Sequence, residues 1–149
     1  GQEARLGIPL TFVAFAIAMG TMAVLRWLAP WLHTVEQNPL QELLRTPRDV
    51  ALFAVVVVVA GGLREELQRA FILHRFEQSL GGGGVGVIVA SAAFGAGHLL
   101  QGADAAVATG VLGAFWAVVY LRRRSAIAPI VSHAGFDLTQ VVQFLSIGR

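Results

Sequence analysis

The sequence contains no cysteine and no lysine, and only 13% of its 149 residues are charged. Without cysteine, the chain can form no disulfide, no thiolate metal site and no thiol nucleophile. Soluble domains carry roughly 25% charged residues, so this composition is atypical of them. The basic residues are all arginine and the net charge is only +2, which argues against a nucleic-acid-binding surface.

Apolar residues take the place of the missing charge, at 56% of the chain, and they occur in long blocks. A helix that crosses a bilayer needs about 20 predominantly apolar residues, and several blocks approach this length. We therefore predict an all-α fold, a polytopic transmembrane helix bundle with about five spans. The predicted helices are Ile8–Leu28, Pro47–Ser79, Val85–Leu100, Ala105–Tyr120 and Ile130–Ile147.

Local signals mark several helix ends. Thr46 and Pro47 predict the start of the second helix, with the threonine as cap and the proline in the first position. Asp104 is expected to cap the fourth helix. Gly81–Gly84 predicts a flexible turn, and because it lacks the Gly-Lys-Ser/Thr ending of a phosphate loop, we do not interpret it as one.

The whole chain is predicted to be one membrane-embedded domain, with an extra span and loop in residues 1–48 and a motif-bearing core in residues 49–147. The turn Arg122–Arg124 is placed in the cytoplasm, because cytoplasmic loops are rich in basic residues. The Gly/Ala/Arg bias suggests a bacterial inner membrane. Only Arg5 precedes the first apolar block and no convincing cleavage site follows, so we interpret the block as a span. The abrupt start is compatible with a missing N-terminal portion.

Four ionisable side chains interrupt the second helix after its apolar run: Arg64, Glu65, Glu66 and Arg69. Charge at membrane depth costs a few kcal/mol or more per group, so it persists where it is paired and used. Glu65 and Arg69 are four residues apart and share a face, which predicts a structural ion pair and leaves Glu66 as the general base. The alternative is a wet helix end that meets lipid headgroups.

Two histidines lie on other predicted helices at an overlapping depth. With a rise of about 1.5 Å per residue, Glu66, His98 and His133 lie roughly 12–20 Å above the predicted cytoplasmic ends of their helices. Phe94 is four residues before His98, and Asp137 is four residues after His133. A carboxylate and two histidines can activate water and stabilise an oxyanion. The set Glu66, His98 and His133 can also hold Zn²⁺ with an open fourth position.

Other intramembrane protease chemistries lack their motifs in this sequence. It has no His-Glu-x-x-His, no Gly-x-Gly-Asp and no Gly-x-Ser-Gly. Ser91 and Ser132 lie near the histidines, but their spacing gives them no nucleophile role. We interpret both as packing or helix–helix hydrogen-bonding residues.

These motifs resemble those of the CPBP family, the CAAX-protease and bacteriocin-processing group of intramembrane endopeptidases. Its pattern is Glu-Glu-x-x-x-Arg, Phe-x-x-x-His and His-x-x-x-Asn/Asp on three successive helices. Here Glu65-Glu66, Phe94–His98 and His133–Asp137 match, and the resemblance spans about Val50–Leu145.

The resemblance implies an enzyme that hydrolyses a peptide bond of a membrane-associated or lipidated peptide or protein in the lipid bilayer, with no nucleic-acid partner. Glu65 or Glu66, together with His98, would activate water. His133 and Asp137 would stabilise or position the intermediate. The motifs permit a metal, such as zinc, and do not require one.

The supporting residues are Phe94 and Arg69, and Arg69 departs from the family pattern. It lies one position closer to Glu66 than the family arginine does. Either Arg69 pairs with Glu65 rather than Glu66, or a local bulge in the helix restores the family geometry.

Two other classes of function stay open at this stage. A non-catalytic membrane scaffold, or an immunity or partner-binding protein of the same family, would keep the helices and tolerate loss of Glu66 or His98. A proton-coupled carrier can also be built from buried Glu, His and Asp residues. Inverted repeats would favour a carrier, and the sequence shows none.

Overall fold

The computed structural model describes residues 1–147 and is 87% helical. No β-strand occurs in that described range, which confirms the predicted all-α bundle. The principal helices are α1 (Gln2–Leu28), α2 (Pro47–Val56), a π-helical segment (Val57–Glu65), α3 (Glu66–Ser79), α4 (Gly82–Ala96), α5 (Ala103–Arg123) and α6 (Ile127–Ile147).

The long helix predicted from Pro47 to Ser79 is confirmed, because α2, the π-helical segment and α3 follow one another without a break. Its start is the predicted one. The Thr46 hydroxyl accepts a hydrogen bond from the backbone N–H of Asp49 at 3.2 Å, and the Asp49 carboxylate accepts one from the N–H of Thr46 at 2.9 Å. This capping box satisfies donors that the first helical turn would otherwise leave free.

Two helix boundaries differ from the prediction. The helix α4 ends at Ala96, four residues before the expected Leu100, so His98 lies in a turn beyond the helix. The helix α5 begins at Ala103, after Gly102 at φ 121°, a value that favours glycine. The prediction that Asp104 caps this helix is therefore wrong, since Asp104 already lies in its first turn.

The core is built where α1, α5 and α6 meet. The buried members of this cluster are Ala14, Leu112, Trp116 and Phe136. The helix α4 packs between α3 and α5, and the π-helical segment packs against α6. The first helix thus contributes to the same core as α6, which carries His133.

Besides its apolar core, the bundle buries several ionisable side chains and exposes many large apolar ones. Glu66, Arg69 and His133 are buried, whereas Phe12 and Ile88 are each 71% exposed. This distribution suits a lipid environment, where buried charges are paired and the outer surface is apolar. Among the described residues, α1 and α5 are each long and apolar enough to cross a membrane, while the apolar α4 is shorter. The span count of five stays a prediction.

Ion pairs gather several helix termini at one end of the bundle. Arg123 pairs with Glu3 at the start of α1, and Arg124 pairs with Glu77 near the end of α3. The predicted basic turn therefore lies beside the α1 start and the α3–α4 turn. The connection between α1 and α2 lies against the α4–α5 connection.

Candidate active site

The π-helical segment brings the two glutamates next to α6. A β-carbon on Gly61 would lie 2.5 Å from Asp137 Oδ2, and one on Gly62 would lie 2.7 Å from Ala134 Cβ. Only glycine leaves room for so close an approach without displacing a neighbour. The bulge expected as one explanation of the Arg69 spacing is thus present, and π-helical turns are frequent at functional sites.

Arg69 pairs with Glu66, and the predicted Glu65–Arg69 pair is wrong. The Arg69 guanidinium donates a hydrogen bond to Glu66 Oε1, and both side chains are almost completely buried. The π-helical segment ends at Glu65, so Glu66 and Arg69 lie within regular α-helix, where residues three apart meet. The side chain of Glu65 instead remains 24% exposed and lines the cavity described below.

His133 joins this buried pair from α6. Its Nδ1 lies 2.8 Å from Glu66 Oε1, the same oxygen that Arg69 contacts. An ionised carboxylate has no proton to give, so Nδ1 is the donor. This fixes the imidazole with Nε2 facing away from Glu66. The hydrogen bonds among Arg69, Glu66 and His133 therefore fix the orientation of the His133 ring and of its Nε2.

An aromatic residue that sequence reasoning missed holds the same imidazole. The Trp116 ring stacks on His133 with centroids 4.0 Å apart and planes 18° apart, and its Nε1 donates to Ser132 Oγ at 3.1 Å. On the sequence, Trp116 was only one apolar residue of a span. Its place in mid-helix was the available signal, since membrane tryptophans are enriched near the interfaces.

The Phe94 ring lies between Arg69 and His98. The Arg69 guanidinium carbon lies 4.5 Å from the centroid of the Phe94 ring, within the range of a cation–π contact. The same ring meets His98 edge-on, with centroids 4.8 Å apart. Phe94 therefore separates the buried ion pair from the second histidine and contacts both.

His98 is oriented by the end of α4. Its Nδ1 lies 2.8 Å from the backbone carbonyl oxygen of Phe94. Because a carbonyl only accepts, Nδ1 must carry the proton in this contact. In the neutral ring, Nε2 is then the acceptor. His98 lies just beyond the end of α4, is half-buried, and lines the cavity described below.

A cavity of about 570 Å³ opens beside these groups. Glu65, His98, His133 and Asp137 all line it, whereas Glu66 lies behind the wall. His133 Nε2 is 3.9 Å from Glu65 Oε2 and 3.7 Å from Asp137 Oδ2, both longer than a direct hydrogen bond. Separations of this size in a polar site suit a shared water.

The predicted zinc ligands do not form a metal-binding set. Within residues 1–147, no three His, Asp or Glu side chains are placed to share a metal ion. Glu66 Oε1 is directed at Arg69 and at His133 Nδ1, and His98 Nδ1 is directed at a backbone carbonyl. Glu66 thus faces the buried ion pair and not the cavity that His98 and His133 line. No step below is assigned to a metal.

An apolar outer surface around a buried carboxylate–histidine cluster and a carboxylate-lined cavity is typical of a membrane-embedded helix bundle with an internal polar site. The family model described as Type II CAAX prenyl endopeptidase Rce1-like matches residues 47–139, more than half of the chain, and the chain belongs to that family. Members of the family are proteases and integral membrane proteins. The resemblance inferred from the motifs is thereby confirmed. No curated protein and no solved structure matches the chain.

The close approach of Gly61 to Asp137 gives a direct test of that carboxylate. In Gly61→Ala the new methyl group would push Asp137 Oδ2 aside, which is easy for the end of a flexible side chain. We expect the melting temperature to stay near that of the parent while peptide cleavage falls roughly ten- to a hundredfold, as for other small displacements in active sites.

The matched control is Gly20→Ala in α1, where an added methyl group meets nothing within 4 Å. It should retain full activity and gain up to about 1 kcal/mol from helix propensity. Full activity of Gly61→Ala would contradict a role for Asp137 at the reaction centre.

Proposed function

We propose that this protein is an intramembrane endopeptidase that hydrolyses a peptide bond of a membrane-associated or lipidated peptide, with a water activated by Glu65 and His98. The observation that carries the proposal is that the two adjacent glutamates have different surroundings. Glu66 is hydrogen-bonded to Arg69 and His133, whereas Glu65 and His98 both line the cavity. A general base must reach the water it deprotonates, and Glu65 meets that requirement.

The first step would be attack of water on the scissile carbonyl. Glu65 takes one proton from the water as its oxygen bonds to the carbonyl carbon. His98 Nε2 accepts a hydrogen bond from the same water, because its Nδ1 is held by the Phe94 carbonyl. Two acceptors at the cavity wall would orient the lone pair of the water towards the substrate.

The tetrahedral intermediate would be stabilised by His133 and Asp137. Three carboxyl groups surround His133, namely those of Glu65, Glu66 and Asp137. When the ring carries a proton on both nitrogens, Nε2–H would donate a hydrogen bond to the oxyanion. Asp137 contributes a second donor when it carries a proton. Collapse of the intermediate breaks the C–N bond, and the amine leaves with the proton that Glu65 took up.

The location proposed for this activity is a bacterial inner membrane, with Arg122–Arg124 on the cytoplasmic side. The support is the arginine-rich end of the bundle, where the turn also pairs with Glu3 and Glu77. The substrate is then a peptide that reaches the bundle from the membrane or from its surface.

The proposal is tested by cleavage in proteoliposomes. The purified protein is incubated with membrane-anchored peptides, with and without a lipid group, in H₂¹⁸O, and the products are analysed by mass spectrometry. We expect new C-terminal carboxyl groups that carry one ¹⁸O, because water is the nucleophile.

The control is His98→Ala, which should remain folded and lose this cleavage, since the substitution removes the second acceptor for the water. Equal cleavage by the parent and by His98→Ala would contradict the assignment of His98. A folded parent protein that cleaves no peptide would favour the non-catalytic scaffold.

A further inference from the structure

The connection between α1 and α2, residues 29–46, forms one wall of the cavity. We refer to it as the strap. It contains two short 3₁₀ turns, Pro30–Leu32 and Pro39–Leu43. The strap residues that line the cavity are His33, Val35, Asn38, Leu40, Gln41 and Leu44. The family match begins at residue 47, so the strap lies outside the matched region.

The strap has little packing of its own. Within the described residues 29–46, no side chain is buried. A segment with so few buried apolar contacts belongs to the low-stability part of a protein and can open without unfolding the remainder. Its attachment to the bundle therefore depends mainly on polar contacts.

Three polar contacts latch the strap to the α4–α5 connection. His33 Nδ1 lies 2.8 Å from Asp104 Oδ2, Asn38 Nδ2 donates to Gln101 Oε1 at 3.2 Å, and the Thr34 hydroxyl accepts from the backbone N–H of Ala103 at 3.0 Å. Each group can exchange its partner for water when the strap lifts, so each contact has only the modest net strength of an ordinary hydrogen bond. The Asp104 carboxylate also accepts a hydrogen bond from the backbone N–H of Ala105, and this contact does not involve the strap.

The strap adds polar side chains to the cavity wall. Side chains of Asn38 and Gln41 line the cavity together with Gln101 of the α4–α5 connection, and Phe53, Val57 and other apolar residues line it as well. Trp27 and Trp31, at the α1 end of the strap, are 81% and 72% exposed, as expected of tryptophans at a membrane–water interface. The strap thus lies where the cavity meets the aqueous side of the interface.

We propose that the strap is a latched cover that must lift for a polar peptide segment to pass between the aqueous side and the cavity. The proposal rests on the proposed function in taking a peptide as the molecule that passes. The apolar part of a substrate can remain among the helices, whereas the backbone around the scissile bond needs polar surroundings on its way to Glu65. The amide side chains under the strap provide them.

The absence of native cysteine makes a reversible lock practical. In Thr34→Cys/Ala103→Cys, a short bis-methanethiosulfonate links the strap to α5, and a reducing thiol releases it. We expect peptide turnover to fall at least roughly tenfold in the linked protein, because two or more latch contacts cannot open, and to recover on reduction. The single-cysteine variants treated in the same way are the controls and should stay active. Full turnover in the linked protein would overturn the proposal and indicate passage between the helices instead.

A second readout does not depend on catalysis. Thr109→Cys places a thiol in the cavity wall with little change of side-chain size. In proteoliposomes, a cationic, water-soluble methanethiosulfonate should label it roughly tenfold faster when His33→Phe and Thr34→Val weaken the latch, since two hydrogen bonds of usual net strength give about that factor. Glu36→Gln, on the exposed side of the strap, is the matched control and should leave the rate unchanged.

The two readouts separate the two proposals. An unchanged labelling rate in His33→Phe/Thr34→Val would overturn the latched cover whatever the catalytic result. Faster labelling in a protein that cleaves no peptide would retain the cover and reject the proposed protease activity.

Discussion

Glu65→Gln should lower peptide turnover by about 10²–10⁴-fold, the usual contribution of a general base, while leaving the melting temperature close to that of the parent. The side chain of Glu65 is 24% exposed, and its contacts with two ionisable side chains, Arg64 and His133, are 3.7 and 3.9 Å long. Neither contact is a short hydrogen bond, so replacing the carboxylate with a neutral amide should disturb the structure little. The amide loses the ability to accept a proton from water.

The comparison with Glu66→Gln decides which glutamate is the base. Glu66 accepts from both Arg69 and His133, so its amide variant should lose stability as well as activity. Of these two variants, only Glu65→Gln should lose activity without losing stability. Glu77→Gln, which weakens only an exposed pair with Arg124, is the control for removal of a carboxylate and should be nearly silent in both assays. Retained turnover in Glu65→Gln would reject Glu65 as the base.

Arg69→Met should reduce the free energy of unfolding by about 3–5 kcal/mol, because a buried pair broken on one side leaves an uncompensated charge. Arg69 is 4% exposed and Glu66 is 2% exposed. Methionine keeps a long unbranched side chain beside Phe94 while removing the guanidinium, so the loss reports the ion pair together with the cation–π contact. Reversible unfolding in detergent is the measurement.

A double-variant cycle identifies the partner of Arg69. Glu66→Gln/Arg69→Met should recover much of the lost stability, since both charges leave together. Glu65→Gln/Arg69→Met should recover none, because the Arg69 guanidinium contacts Glu66. The reverse pattern would restore the pairing that simple four-residue spacing predicts. The double variant should stay inactive, as His133 no longer has the carboxylate that orients it.

The sequence was sufficient to predict the features that depend on local chemistry or on long apolar blocks. The Thr46 cap, the long helix from Pro47 to Ser79 and the family membership are all confirmed. The approach of His133 to a glutamate was also predicted, because the two residues lie at similar depth on separate helices. These predictions needed only helix geometry and the high cost of charge in a membrane.

The features that were missed depend on contacts between helices. The extent of the π-helical segment reflects its approach to α6 through Gly61 and Gly62, and regular α-helical spacing therefore assigned Arg69 to the wrong glutamate. The contact of Trp116 with His133 joins α5 to α6. The latch between His33 and Asp104 joins residues 71 positions apart, which no local pattern reveals.

The location of Glu66 and Arg69 on one helix has a consequence for how the protein is made. Their charges lie three residues apart on α3, so they can neutralise each other as soon as that helix forms. The helix can then enter the bilayer without an isolated charge and without waiting for α6, which is synthesised last and brings His133. During membrane insertion, Arg69 alone therefore neutralises Glu66. His133 joins the pair only after α6 has been made and has packed into the bundle.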